Sequence, residues 1–334
     1  MTAPFNPSAS SSHQPSNEAA AWALKQLAAR NDLRSAFLES PHLSQTLLPA
    51  AARYIVAADI ATLLPRLDTL SDLGYCTGVE QVGEEARTRA EVQAVVDEYS
   101  ALLDRLKNGG QPASGPIQIG FDLSNVGMLE SRKLAEDNTA RLLDQAAQVE
   151  SNIIISMERS EFVDQILETF FNLAADHDNV AITLQAHLHR TSQDLTRVLD
   201  TGRKIRLVKG VYREQPLVAL ARGRQLDDRY VQLFERIVAA GVPVAAASQD
   251  EQLLQRLHDE GLLGSHAEVE MLHGVQPHVL RHYRDKNVRC RVATVYGDNW
   301  WLHFLHRLSE HPPNVITALA DISDPGRVRF ASQY

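Results

Sequence analysis

Lys204-Ile205-Arg206-Leu207-Val208-Lys209-Gly210-Val211-Tyr212-Arg213 is the stretch whose reading decides the fold. It opens as an apolar run of the kind that forms a buried parallel strand. Arg206 and Lys209 interrupt it, and such residues are costly to bury without an anionic partner. Gly210 lets the backbone pass close to something bulky. Basic groups at a strand exit, beside a glycine and a tyrosine, suit a flavin and its phosphates. An ordinary barrel strand with basic ends accounts for the same residues equally well.

Outward from this stretch the chain keeps a strand–helix rhythm. Strands are expected at 74–80, 117–123, 152–157 and 180–186, then at the stretch itself, then at 242–247, 268–272 and 289–295. Helical periodicity fills 84–106, 131–150, 163–177, 194–201, 227–240, 251–260, 277–286 and 299–311. Eight such units predict a distorted (β/α)8 TIM barrel, of class α/β, over residues 71–334. No glycine-rich dinucleotide fingerprint follows the first strand, which disfavours a doubly wound open sheet. In a barrel the chemistry belongs at the C-terminal strand ends. Residues 1–17, rich in Ser, Pro and Asn, are expected to form a disordered tail. Residues 18–70 predict two or three extra helices, with boundaries at Pro41, Pro49 and Pro65.

Composition narrows the class. The chain has 334 residues, 44% of them hydrophobic, as in a globular protein with a sizeable core. A net charge of −9 argues against a general nucleic-acid partner. Cys76 and Cys290 make no disulfide framework and fit a reducing compartment. No apolar run is long enough to span a bilayer. The first basic residue is Lys25, unlike a secretory signal or an Arg-rich transit peptide, and a cytoplasmic location is expected.

The strand ends carry the polar residues. The third ends Ser156-Met157-Glu158-Arg159, and the fourth Gln185-Ala186-His187-Leu188-His189-Arg190. The sixth ends Ala247-Ser248-Gln249-Asp250, the seventh reads Glu268-Val269-Glu270-Met271-Leu272-His273-Gly274, and the eighth ends Thr294-Val295-Tyr296-Gly297. With Val82-Gly83-Glu84 after strand one, these segments follow in order, from about residue 72 to 314, a pattern that resembles the proline dehydrogenase family. There the fifth strand reads Arg-Leu-Val-Lys-Gly-Ala-Tyr-Trp, against Arg206 to Arg213 here.

That resemblance implies a monofunctional FAD-dependent enzyme. Gln185, Arg206, Lys209, Gly210, Ser156, Ser248, Gln249 and Glu270 are expected to line the cofactor, with Arg206 near the flavin ring and Lys209 favouring its phosphates. Tyr212 is expected to pack on substrate or cofactor. In the helix at 299–311, His303, His306, Arg307 and Glu310 share one face, which can close over the barrel mouth. The family has an Arg-Arg-x-x-Glu motif there that grips the substrate carboxylate; His306-Arg307 and Glu310 match it, with His306 in place of the first Arg.

Other departures fall in the same pocket. Asp122, before Leu123-Ser124, stands where the family has a lysine, and Ala293 where it often has a tyrosine. Ser156 and Gln249 replace an Asp and a His. Asp122, Ala293 and Tyr296, with His306, Arg307 and Glu310, form the expected substrate pocket, in which Asp122 repels a carboxylate and favours an added donor or positive group. Arg206, Tyr212 and Asp122 are the expected catalytic residues.

The function expected is hydride removal from a small amine or imino/amino acid to flavin N5, giving an imine, with a substrate other than L-proline and a quinone or oxygen as final acceptor. Ordinary L-proline dehydrogenation is the first alternative. Two readings of other classes stand beside it. One is a metal-dependent barrel hydrolase using His187, His189, Glu158, Glu270 and His273; the other is a catalytically silent flavin-binding protein.

Overall fold

The computed structural model describes residues 17–28, 30–83, 85–311 and 313–334. The tail expected at 1–17 lies outside these, Asn17 excepted, as does Glu84 of the Val-Gly-Glu motif.

The strands are β1 (Cys76–Gln81), β2 (Gln118–Phe121), β3 (Asn152–Ile155), β4 (Val180–Gln185), β5 (Ile205–Val208), β6 (Val244–Ala247), β7 (Ala267–Leu272) and β8 (Cys290–Tyr296). The helices are α1 (Asn17–Ala28), α2 (Asn31–Glu39), α3 (Pro41–Ala51), α4 (Ile60–Asp72), α5 (Arg89–Gly109), α6 (Arg132–Ala147), α7 (Val163–Asp176), α8 (Thr191–Leu199), α9 (Arg224–Ala239), α10 (Glu251–Asp259), α11 (Pro277–Asp285), α12 (Trp300–Glu310) and α13 (Asn314–Ser323).

The strands pair in parallel in chain order, and β8 closes on β1 to complete the barrel. Alternation along each strand sends one set of side chains out and the other into the lumen. The outward set, including Ile119, Ile153, Ile155, Ile182, Leu184, Ile205, Leu207 and Val269, is buried beneath the helices against Leu102, Leu142, Phe170, Phe234 and Leu254. The apolar core is therefore the ring between sheet and helices. Helix starts follow local chemistry: Thr88 and Glu91 form a capping box on α5, and Ser131 and Asp250 cap α6 and α10.

Two compact units make up the chain. The barrel unit is Arg53–Asp298 with Arg329–Tyr334, and the helical unit takes the described residues from Asn17 to Ala52 with Asn299–Val328. The boundary expected at residue 70 is corrected in two respects. Helix α4 belongs to the barrel unit, where Leu63, Leu67 and Leu70 join the core. Helix α12, read as the last barrel helix, groups with α1, α3 and α13, which it lies against. Pro41 does open α3, but Pro49 and Pro65 lie inside α3 and α4 and not at their ends. Each removes one helical hydrogen bond, and burial of the apolar face outweighs that loss.

Candidate active site

The lumen carries charge in two layers. In the lower one, Lys204 Nζ donates to Gln118 Oε1 at 2.6 Å and pairs with Glu268. Arg291 donates to Glu268 through Nε at 2.7 Å and to the Thr77 carbonyl at 2.6 Å. Burial opposes the Glu268 charge, but Arg291 and Lys204 hold its carboxyl well below the usual carboxylate range. Burial leads in pushing the Lys204 ammonium down.

Arg206 is the hub of the upper layer. Its Nη1 donates to Glu80 at 2.8 Å and to Glu270 at 3.3 Å, its Nη2 to Ser156 Oγ at 2.9 Å, and its Nε to Thr183 Oγ1 at 2.9 Å. One guanidinium on β5 thereby joins β1, β4, β7 and the exit of β3. Four of its five N–H bonds are engaged, and one Nη2 hydrogen is left for a ligand. Gln118 Nε2 donates to Glu270 at 3.3 Å and links the two layers.

Above the hub, Asp122 follows β2 directly and is half-buried. Burial, Glu158 and Glu80 push its carboxyl up to about 8, against the attraction of Arg206 and a hydrogen bond from Ser156. Glu158 is buried and also raised, first by burial; the Ser124 N–H donates to its Oε1 at 3.1 Å. Half-buried Tyr212 has its hydroxyl raised by burial, then by Asp122 and Glu158. Gln185 donates from Nε2 to the Met157 carbonyl at 2.9 Å and the Glu158 carbonyl at 3.0 Å, while its buried Oε1 has no partner.

The structure thus brings Arg206, Ser156, Glu270, Asp122, Gln185 and Tyr212 together, and turns Ala293 into the lumen beside Gly78. Other expected residues are placed differently. Lys209 Nζ is held between Asp227 of α9 and Asp250, the cap of α10, each at 2.5 Å, so its charge is already matched by two carboxylates. Gly210, at φ +106°, makes room for a neighbouring side chain: a Cβ there would lie 1.9 Å from His187 Nδ1. Tyr296 points to the helix side of β8, where Tyr99 and Glu98 of α5 raise its hydroxyl after burial does. Ser248 Oγ accepts from the Asp250 N–H at 3.1 Å, and Gln249 is half-buried.

In the helical unit, Arg307 Nη2 donates to Glu310 at 2.5 Å, and its buried Nε has no partner. The His306 side chain is exposed, yet partial burial of its ring, then Arg307 and Lys25, hold it below the ordinary histidine range. The imagined metal cluster is dispersed. His189 Nε2 meets the Pro216 carbonyl at 2.9 Å, Glu270 is taken by Arg206, and His273 Nδ1 by Tyr334. Among the described residues, no group of three or more His, Cys, Asp or Glu is placed to hold a metal.

Glu80, Gln118, Thr183, Glu268 and Arg291 went unnoticed in the sequence. A signal was there: strands five and seven carry charges of opposite sign at the same two-residue spacing, Lys204 and Arg206 against Glu268 and Glu270.

A closed parallel barrel with acids, an arginine and an open amide at its C-terminal mouth defines a (β/α)8-barrel enzyme. Residues 63–310 match the family model described as proline dehydrogenase. The chain belongs to the proline dehydrogenase family, a family of FAD-dependent oxidoreductases that act on CH–NH bonds. It is 24% identical over 276 residues to proline dehydrogenase 1 of Bacillus subtilis subsp. natto, covering 81% of this chain and 90% of that one. It is 26% identical over 273 residues to proline dehydrogenase of Deinococcus radiodurans, covering 79% and 87%. The fold is similar to that of proline utilization A from Bdellovibrio bacteriovorus inactivated by N-propargylglycine, with a TM-score of 0.73 at 18% identity. That match covers 84% of this chain, which spans 35% of the solved one.

Proposed function

We propose that the protein binds FAD and oxidises a small secondary amine or imino/amino acid at its CH–NH bond, with a preferred substrate other than L-proline. The observation that carries the cofactor reading is the pair of open polar groups at the mouth, Gln185 Oε1 and the fifth N–H of Arg206. A flavin ring edge offers both acceptors and an N–H donor, so the residues present fit the group. Bound FAD would supply the hydride acceptor. Gln185 would hydrogen-bond the ring, and Arg206 would stabilise negative charge on it, a donor preorganised by Glu80, Glu270, Ser156 and Thr183. Tyr212 would cover the substrate.

The substrate reading rests on Asp122 and His306, where the family pattern has a lysine and an arginine. Its physical ground shifts from the one expected. Burial, Glu158 and Glu80 push the Asp122 carboxyl up and so weaken its charge. What disfavours a carboxylate is then first the loss of two cations, with repulsion by Asp122 added as it ionises at higher pH. Ordinary L-proline oxidation is the second reading, favoured by the relatives, which carry that name. The acceptor, quinone or oxygen, and a cytoplasmic location complete the proposal; no described helix is long and apolar enough to cross a membrane.

One experiment tests it: record the visible spectrum of the purified protein after FAD reconstitution, then add L-proline and a panel of amines anaerobically. A flavin spectrum bleached by an amine other than L-proline is expected. Protein that takes up no flavin overturns the assignment.

A further inference from the structure

The loop after β5 folds back over the barrel rim. Residues 209–223 leave β5, cross the exit of β4 to reach the exit of β3, and return to α9. Three ties fix that course. At its start Gly210 lies against the His187 ring, and its carbonyl accepts from Arg222 Nη2 at 2.5 Å. On its return the Leu220 N–H donates to the His187 carbonyl at 2.8 Å and the Val218 carbonyl accepts from the His189 N–H at 2.9 Å, with Leu188 bridged to Ala219. Between these, Glu214 reaches the β3 exit. Its Oε1 accepts from the Ser160 N–H at 2.9 Å, and its Oε2 from the Ser160 hydroxyl at 2.7 Å.

That middle tie meets a local need. Ser160 opens the short turn Ser160–Phe162 that leads into α7, and neither the turn nor α7 is capped by the side chain before it. The N–H groups at a helix start have no partner within the helix. A carboxylate is a strong acceptor for one of them, and Glu214 brings it from 54 residues further along the chain.

Tyr212 lies midway between Gly210 and Glu214. Among the described residues, 211–213 make no hydrogen bond or ion pair to another element. The tyrosine is therefore placed by the two ends of its segment. Four peptide units span at most ~14 Å, so pinning both ends confines the residue in the middle. The side chain is half-buried, and after burial it is Asp122, Glu158 and Arg159, at the β2 and β3 exits, that act on its hydroxyl.

We propose that Glu214 is a positioning residue, whose paired hydrogen bonds to Ser160 hold Tyr212 over the barrel mouth for contact with the substrate. This rests on the amine-oxidising reading above. Without the Glu214 tie, the next anchor along the segment is Pro216, whose carbonyl meets His189 Nε2 at 2.9 Å at the β4 exit. Tyr212 would then sit in a longer span and move away from β3, opening the wall that the substrate touches.

Two measurements on the full-length protein test this. The first needs neither flavin nor substrate. Tyrosines are replaced biosynthetically by 3-fluorotyrosine, and the Tyr212 19F signal is assigned by its loss in Tyr212→Phe. Glu214→Ala should move that signal toward the position of an exposed tyrosine. Glu214→Gln should hold it in place, because an amide can accept from the Ser160 N–H and donate to the Ser160 hydroxyl. Ser160→Ala, which keeps one of the two bonds, should give an intermediate shift. A Tyr212 signal unmoved in Glu214→Ala overturns the inference; if that variant does not fold, an unmoved signal in Ser160→Ala does the same.

The second measurement is steady-state oxidation of L-proline with an artificial acceptor. Glu214→Ala should raise KM about tenfold, the scale of one hydrogen bond to a charged group, and leave kcat within about twofold. In a Tyr212→Ala background the same change should leave KM where it is, because Glu214 acts through Tyr212. A further tenfold rise in that background refutes the positioning role. Absence of flavin uptake sinks the amine-oxidising reading and leaves the fluorine signal to decide this one.

Discussion

The absent side chain of Gly120 on β2 is occupied by Glu80 of β1: a Cβ built on Gly120 would lie 2.5 Å from Glu80 Oε1. The same carboxylate accepts from Arg206 at 2.8 Å, so the glycine sets where the hub can be anchored. Gly120→Ala is expected to displace Glu80 and cost about 1–3 kcal/mol, the range for overpacking. Thermal denaturation checks this, and Glu80→Gln should lessen the penalty, because a neutral amide gives way more readily. Equal losses in both backgrounds would show that the contact is relaxed elsewhere.

Arg206→Met leaves Glu80 and Glu270 facing each other without their cation. A loss of about 3–5 kcal/mol in denaturant-measured stability is expected, as for a broken buried ion pair. Flavin reduction should slow by at least ~10²-fold, the scale for one preorganised donor. Arg206→Lys should recover part of the stability and little of the rate, because an ammonium cannot reproduce four directed contacts. A fully active Arg206→Met protein would remove Arg206 from the site.

Gly210→Ala should be poorly tolerated for two separable reasons, a backbone at φ +106° and a collision with His187. In the double variant with His187→Ala only the backbone penalty of about 1–2 kcal/mol should remain. Urea midpoints of the two single variants and the double form the cycle. Strict additivity would mean that the imidazole does not fill the space.

His273 gives the fold an acid limit. The Gly274 N–H donates to Tyr334 Oη at 3.1 Å, and the Tyr334 hydroxyl shares a hydrogen bond of 2.9 Å with His273 Nδ1. Burial, then Arg66 and Arg53, push the imidazole down to about 3. Between about 3 and the ordinary histidine value near 6.5, the unfolded chain binds a proton that the folded one does not. Stability from this group is therefore complete above 6.5 and falls by roughly 1.4 kcal/mol per pH unit as the medium is acidified through that window. Melting temperature against pH should show this slope, flattened in His273→Gln. Parallel curves would refute it.

L-Proline should be oxidised slowly. With an artificial acceptor, kcat/KM at pH 7 is expected below ~10⁴ M⁻¹s⁻¹, the lower end for good enzymes. Asp122→Lys with His306→Arg should raise it at least tenfold. A wild-type value above that range would favour ordinary proline dehydrogenation.

Which of these features could be read before folding follows from the distance over which each interaction acts. Strands such as 152–157 and 180–186 announce themselves by local apolar runs, and their observed bounds, Asn152–Ile155 and Val180–Gln185, differ by two residues or fewer. The mouth residues Arg206 and Gln185 were legible because barrel chemistry gathers at strand ends. Their partners were not. Glu80 lies 126 positions from Arg206, and only the closed register brings the two together. Gly210 was read as clearance for a cofactor, since nothing local says that His187 fills the space. Lys209 looked free for phosphate because Asp227 lies on a later helix and Asp250 at the start of another. Tyr296 was misread by one residue of alternation, which reverses the face of a strand.

A spoke wheel cannot have one spoke changed at will, and the Arg206 hub is built like one. Glu80, Ser156, Thr183 and Glu270 reach it from four staves. A lone change at any rim position leaves the others mis-tensioned, so viable drift in this lumen proceeds by paired or grouped substitutions. Directed evolution of the pocket should accordingly start from libraries that randomise these positions together.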